Sequence, residues 1–436
     1  METNLQGYIN GVSRRSFLRT LGAASAAAAA LPSALAYGQQ VAAAAPGPTP
    51  TTRRGYGNDM GEMRQLPPDT VIISSNENPL GPASVALSAI GTTAAMGGRY
   101  HQEESMETVK VFSSLFDLPV ASPGKPGYVA LFPGSGGPLD LALMSNLGPD
   151  KPLVYADPSY EQGPRAADAM GAPKFPVKLT PTYAHDVKAM LAAHPSPGAY
   201  YIVNPNNPTG TMTPRADIVW LLANKPKGSV VIVDEAYFHF SNDESVIPLV
   251  MSNPDLMVTR TFSKIYGMAG LRAGVVIAHP ERLAAFSKVA PPARSLASIS
   301  ITSAAAARAS LQDKELVPTR KKINTDIRAE TVEFLTKQGY KVIPGSQANF
   351  FMVDVNRPGR DFQVDMLKEK VAIGRTWAAL PTYVRVTVGT KPEMEKFQTA
   401  FVKCMDKMPV TNPTAVGGSA ELYRPEYHVP TELHRG

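Results

Sequence analysis

Residues 199–237 read AYYIVNPNNPTGTMTPRADIVWLLANKPKGSVVIVDEAY. Two near-continuous runs of Val, Ile and Tyr flank TPRADIVWLLANK (213–225), which starts on Thr-Pro and carries a helical pattern. Apolar runs without polar alternation predict strands buried on both faces. A strand, a helix and a second strand in that order predict a βαβ unit with parallel strands. Each run ends in a polar cluster, NPNNPTG (204–210) and DEAY (234–237).

The same rhythm continues on both sides. YVALFPGSGG (128–137) leads into PLDLALMSNL, and LVYADPSY (153–160) into EQGPRAADAMG. LMVTRTFSK (256–264) and RAGVVIAHP (272–280) follow. This predicts an α/β fold whose large domain holds a mostly parallel, doubly wound sheet. Chemistry in such sheets gathers at the carboxyl ends of the strands, where every polar cluster above falls. After residue 300 the pattern changes to a long helical region over 302–338, broken near Pro318. NFFMVDV (349–355), VAIGRTW (371–377) and YVRVTVGT (383–390) then read as strands of a smaller α+β domain. The predicted division is 61–98 for the N-terminal part of the small domain, 99–305 for the large domain and 306–410 for the C-terminal part of the small domain. Residues 411–436 carry Pro, Gly and charge without periodicity and are assigned no element.

SRRSFLR (13–19) precedes the uncharged TLGAASAAAAALPSALA (20–36). A charged segment, an apolar segment and a small-residue end are the three parts of a secretory signal. The arginine pair followed by Ser-Phe-Leu resembles a twin-arginine export signal. The expectation is a signal peptide over 1–36 cleaved after Ala36, a flexible linker over 37–60, and passage through the twin-arginine machinery to the periplasm or beyond. The apolar part is too short for a membrane span, and no other stretch reaches 18 apolar residues. That export route carries folded proteins, which suits an enzyme that acquires a cofactor before leaving the cytoplasm.

Composition narrows the classes. With 436 residues, 44% hydrophobic and 18% charged, the chain can build two cores and reads as a soluble globular enzyme. A net charge of +6 with no long Lys/Arg run gives nucleic-acid binding no support. The sole cysteine, Cys404, excludes an internal disulfide and a cysteine cluster. The seven histidines show no metal-ligand spacing, so no metal site is expected.

NPNNPTG (204–210), DEAY (234–237) and SKIYGMAGLRAG (263–274) together resemble the fold-type-I pyridoxal-phosphate aminotransferases, nearest to the histidinol-phosphate aminotransferase branch. NENPLGP (76–82), RYHQ (99–102) and YVRVTVGT (383–390) extend the likeness across roughly 70–405. The resemblance implies pyridoxal 5′-phosphate as cofactor, with residues 99–305 as the domain that binds it. Such a cofactor needs a lysine amine to form a Schiff base, and Lys264 stands where a strand ends among small residues. The same amine moves a proton to and from the substrate Cα. The ring nitrogen needs a carboxylate against it, and Asp234 ends a strand of Val and Ile. Tyr237 and Asn207 are implied as donors to the cofactor's phenolic oxygen, Asn207 also bordering the substrate. Ser135 and Gly136 follow a strand and open a helix, so their amides can face a phosphate. Ser263 and the forked donors of Arg272 would complete that cradle. Tyr160 matches an aromatic that stacks on the ring, and Tyr100 one that reaches the neighbouring subunit's cofactor, which implies a homodimer.

Arg385 lies in an apolar strand and matches a bidentate clamp on the substrate α-carboxylate. Arg375, in GRTW, is implied near the substrate side chain, where it suits a distal phosphate, a distal carboxylate or a salt bridge. The chain departs from the family at Gly136-Gly137-Pro138 and at His101-Gln102, positions that bear on substrate identity. The expected function is an exported aminotransferase that moves an amino group between an amino acid, or another amine-bearing metabolite, and a 2-oxo acid. A lyase, decarboxylase or oxidase on the same cofactor is the alternative, and a non-catalytic binding protein the third reading.

Overall fold

The computed structural model describes residues 66, 69–289 and 299–406. From Pro67 onward these belong to one compact unit. The expected signal, the linker up to residue 60 and the tail from 411 lie outside the described residues.

In chain order the strands are β1 (Val71–Ile73), β2 (Val129–Phe132), β3 (Leu153–Asp157), β4 (Lys174–Lys178), β5 (Ala199–Val203), β6 (Val230–Asp234), β7 (Leu256–Thr261), β8 (Gly274–Ala278), β9 (Phe350–Asp354), β10 (Val371–Ile373) and β11 (Tyr383–Thr387). The helices are α1 (Ser84–Ala94), α2 (Gln102–Ser114), α3 (Gly136–Met144), α4 (Gln162–Ala169), α5 (Val187–Ala192), α6 (Arg215–Asn224), α7 (Pro280–Ala284), α8 (Ile301–Gln312), α9 (Leu316–Lys337), α10 (Gly359–Lys368) and α11 (Lys391–Asp406).

Seven strands form one sheet in the order β2-β8-β7-β6-β5-β3-β4. Every residue of β2, β5, β6, β7 and β8 is buried, as their apolar runs require. Alternate residues feed two cores. Val231, Val233, Tyr200 and Ile202 meet α5, α6 and α8 on one face, while Ile232, Val230 and Tyr201 meet α3 and α4 on the other. Each Val or Ile so covered contributes about 1.5–3 kcal/mol before conformational entropy is set against it. Helix α8 enters on a Ser300 cap, whose Oγ accepts from Ser303 N at 3.1 Å.

The sheet is parallel except for β8, which runs antiparallel to β2 and β7. The segment 262–273 between β7 and β8 contains no helix to carry the chain back across the sheet, so it returns as a hairpin with Thr261 opposite Gly274. Strand β4 is the sheet's far edge. Its exposed Lys174 and Lys178, with Pro176 between them, discourage further pairing and also hide the strand from an apolar reading of the sequence.

A second, smaller core gathers Val71, Ile73, Phe351, Val353, Phe362, Phe397 and Phe401. Strands β9 and β11 pair antiparallel, and β1 pairs parallel with β10, three hundred residues later in the chain. Strand β9 borders both cores, with Phe350 in the larger and Phe351 in the smaller. The expected break in the helical region falls at 313–315, ahead of Pro318. Pro318 sits in the first turn of α9, where its missing N–H costs nothing. Among the described residues no helix is long and apolar enough to cross a membrane, and no group of three His, Cys, Asp or Glu could hold a metal.

Candidate active site

The β7–β8 hairpin carries the central amine. Lys264 stands on its turn and donates to Ser75 O at 3.4 Å, with Nζ 5.4 Å from the centre of the Tyr237 ring. Segment 75–82 lies directly on this turn. Asn78 Nδ2 donates to Ile265 O at 3.0 Å, and a Cβ on Gly267 (φ 67°) would stand 2.0 Å from Gly81 O. Only glycine fits there. Burial pushes the Lys264 ammonium down to about 8; the charges of Arg385 and Arg272 act in the same direction, and Glu77 and Asp234 oppose them.

Asp234 ends β6 and is buried. Its Oδ1 accepts from Thr259 Oγ1 at 3.0 Å and from Ala236 N at 3.2 Å. Among the described residues neither bond uses Oδ2. Burial raises this carboxyl to about 6 in spite of both donors and the Lys264 charge. Tyr237, one turn further on, accepts at its hydroxyl from Asn76 Nδ2 at 2.9 Å and meets Phe350 edge-to-face at 4.9 Å. Burial raises its phenol as well. Tyr160 follows β3, and its phenol is pushed up to about 12, first by burial and then by Tyr237 and Asp234. Ser159 Oγ beside it donates to Asn206 Oδ1 at 2.8 Å, which ties the ends of β3 and β5 together.

An anion cradle lies beside Lys264. The loop from β2 turns at Gly134 (φ 84°), where a Cβ would stand 2.2 Å from Arg272 Nη2. Behind it, a Cβ on Gly274 would stand 2.5 Å from Ser135 N. Ser135 and Gly136 open α3, whose first amides have no side-chain cap. Such amides carry partial positive charge and favour an anion. Arg272 Nη1 donates to Ala269 O at 2.9 Å and to Ser263 Oγ at 3.4 Å. Ser263 Oγ also accepts from Thr261 Oγ1 at 2.9 Å. Arg272 has no carboxylate partner among the described residues.

Two further guanidiniums close the site. Arg385, on β11, donates through Nη1 to Asn207 Oδ1 and through Nη2 to Ser74 O, both at 2.7 Å. Its Nε is buried and has no acceptor among the described residues. Burial lowers its pKa to about 10, so it stays charged at neutral pH. Arg375 forms an ion pair with Glu161 and lies 4.8 Å over the Trp377 ring; Arg385 lies 5.2 Å over the same ring. Of the three readings open for Arg375 in the sequence, the salt bridge is the contact observed.

Lys264, Asp234, Tyr237, Asn207, Tyr160, Ser135, Gly136, Ser263, Arg272, Arg385 and Arg375 thus stand around one site at the strand ends. Tyr100 stands apart, 94% exposed. Sequence reasoning passed over Thr259, Asn76, Glu161 and Trp377. A Thr inside the apolar run of β7 and an Asn at the head of NENPLGP were the available signals for the first two.

A depressed amine, a buried carboxylate with an uncommitted oxygen and an anion cradle with an unpaired guanidinium match the aldehyde, ring nitrogen and phosphate of pyridoxal phosphate. Residues 60–401 match the family described as aminotransferase class I and II. Histidinol-phosphate aminotransferase 1 of Nitrosococcus oceani is 33% identical over 332 residues, 75% of this chain and 86% of that protein. The aromatic amino acid aminotransferase of Streptomyces avermitilis is 33% identical over 321 residues, 73% of this chain and 86% of that one. The solved structure of histidinol-phosphate aminotransferase from Sinorhizobium meliloti in complex with pyridoxal-5′-phosphate shares the fold with a TM-score of 0.71, at 22% identity, over 81% of this chain and 96% of that chain.

Proposed function

We propose, because this chain belongs to the class I and II aminotransferases and its cofactor is pyridoxal 5′-phosphate, that Lys264, Asp234 and Tyr237 are its catalytic residues and that an amino acid docks its α-carboxylate on Arg385. The observation that carries this reading is one amine, Lys264 Nζ, on the β7–β8 turn beside Tyr237 and Asp234, depressed to about 8 by burial and then by the charge of Arg385.

When bound, the cofactor supplies an electron sink for the pair released at the donor's Cα. Lys264 Nζ, largely neutral above pH 8, takes the Cα proton and holds it until it is returned. Asp234 keeps Oδ2 for the proton on the ring nitrogen, since Thr259 and Ala236 both address Oδ1. Tyr237 accepts from Asn76, which leaves its own hydroxyl proton to donate to the phenolic oxygen alongside Asn207. Ser135, Gly136, Ser263 and Arg272 would hold the phosphate, and Tyr160 would cover the ring. Arg385 is set by Asn207 and Ser74, and its unpaired Nε supports a further acceptor, the substrate carboxylate.

The test is a panel of amino donors against 2-oxo acids with amino-acid product measured directly. Relatives named for histidinol phosphate and for aromatic amino acids are equally similar at 33%, so both kinds of donor belong in it. At least one pair should exchange its amino group, and Lys264→Ala should abolish that exchange in a folded protein. Absence of product from every pair would remove the reading.

The finer parts of the reading concern address and assembly. The likeness of SRRSFLR (13–19) and the uncharged stretch 20–36 to a twin-arginine signal supports passage of the folded holoenzyme through that route to the periplasm. Replacing Arg14 and Arg15 by lysine should trap an uncleaved, cofactor-loaded protein in the cytoplasm; unchanged recovery outside would count against it. The exposure of Tyr100 supports a homodimer in which that side chain reaches the partner's site. Mixing Lys264→Ala with Tyr100→Ala subunits should then restore activity, because one mixed site receives both intact residues. No gain on mixing would place Tyr100 outside a shared site.

A further inference from the structure

The pairing of Arg375 with Glu161 sets the charge of the site before any substrate arrives. Glu161 directly follows Tyr160 and heads α4. Its carboxylate meets Arg375 Nη2, with both side chains about one third exposed at 33% and 34%. The Arg375 guanidinium also lies over the Trp377 ring, 4.8 Å from its centre. Arg385 lies over the same ring at 5.2 Å, so two cations share one indole. Arg375 disfavours the charge on Arg385 and Glu161 favours it, which places all three groups in one electrostatic neighbourhood. Trp377 itself packs into a small apolar cluster with Ile343 and Met352, against which Tyr183, Leu380 and Tyr383 lie.

Charge balance then decides what fits. With the α-carboxylate on Arg385, as proposed above, that cation is matched. Glu161 already matches Arg375. A donor with an anionic side chain would have to displace Glu161 from Arg375 or lie against its carboxylate, and either loses an ion pair or adds a repulsion. An uncharged aromatic or aliphatic side chain incurs neither penalty, because it leaves the Glu161–Arg375 pair intact. We propose that Glu161 is a specificity-determining residue: it occupies Arg375 as an internal counter-anion and so selects donors with uncharged side chains over donors with anionic ones. Glu161 touches the selecting cation and takes no part in proton transfer.

The experiment uses purified holoenzyme and follows the donor half-reaction by the loss of the cofactor's visible absorbance, so the acceptor plays no part. Phenylalanine, leucine and methionine represent uncharged donors; glutamate and aspartate represent anionic ones. The wild type should prefer the uncharged set. Glu161→Gln, nearly isosteric, should raise the ratio of kcat/KM for glutamate over phenylalanine by at least about tenfold, the scale of one charge-assisted contact, with the change in KM. The double variant Glu161→Gln with Arg375→Ala should lose that gain, because the cation that receives the anion is gone. A ratio unchanged in Glu161→Gln, a gain that persists in the double variant, or a wild type that already prefers glutamate would overturn the proposal. If no donor of either kind reacts with the wild type, the transamination reading itself fails, an outcome distinct from an unaltered ratio. If Arg385→Ala leaves KM unaltered for every donor, the carboxylate clamp is at fault rather than Glu161.

Discussion

Asn76 donates through Nδ2 to the Tyr237 hydroxyl at 2.9 Å, across 161 positions of sequence. Asn76 is held by Thr387, which accepts from its backbone N at 2.9 Å, and its φ is 55°. Asn76→Gly deletes the donor without backbone strain, since glycine takes positive φ freely. We expect kcat to fall about fivefold, the effect of one hydrogen bond near 1 kcal/mol, with a smaller change in thermal stability. An unaltered kcat would show that Tyr237 needs no such partner.

The depressed amine of Lys264 predicts how uptake of pyridoxal phosphate depends on pH. Only the neutral amine attacks an aldehyde, so the uptake rate of the apoprotein should climb about tenfold per unit below pH 8 and level off above it. Stopped-flow absorbance between pH 6 and 10 reads this directly. A rate still climbing at pH 10 would mean an ordinary lysine. The stability sign follows as well. The folded apoprotein holds this proton less tightly than the unfolded chain, so its stability should rise with pH between about 8 and 10.5, and Lys264→Met should flatten that slope.

Asp234 should display opposed effects on stability and turnover. Its carboxyl is raised from 3.8 to about 6, so a burial penalty is present above pH 6 and is relieved as pH falls toward 3.8. Asp234→Asn should therefore stabilise the apoprotein at pH 8, by up to about 3 kcal/mol, and lower turnover by several orders of magnitude. Calorimetric melts and steady-state rates on the same preparation check both. Thr259→Val, which removes one donor to Oδ1, should cost about fivefold in kcat.

Arg272 is the cation of the anion cradle. Arg272→Ala should weaken the affinity for pyridoxal phosphate about thirtyfold, the loss of roughly 2 kcal/mol for a charge-assisted contact. Gly134→Ala should act alike, because its Cβ would stand 2.2 Å from Arg272 Nη2 at a φ of 84°. Equilibrium dialysis measures both. If Gly134→Ala binds as the wild type does, the guanidinium does not need that position.

The strand–helix rhythm was legible because each central strand is apolar throughout, and a run as short and as rich in β-branched residues as VVIVD favours a buried strand over a helix. The residues that end those runs were legible for the same reason, being the polar exceptions. Strand β4 was not, since an edge strand of Lys and Pro carries no apolar signal. The antiparallel course of β8 depends on the length of a connection and not on the strand's own residues. Thr259 takes its role from register, because it faces Asp234 across the β6–β7 pair, and register cannot be read from either segment alone. Glu161 and Arg375 are 214 positions apart, and only the folded chain brings their charges together.

The close approach of Gly81 to Gly267 has a bearing on how the protein can be cut. Segment 75–82 lies against the turn that bears Lys264, while β1, just before it, is paired with β10 in the smaller core. A recombinant version begun at α1, where a long helix offers an inviting boundary, would leave β10 with an unpaired edge and strip the cover from the lysine turn. Among the described residues, the strand at Val71, and not helix α1, therefore marks how far an N-terminal cut can reach into this unit.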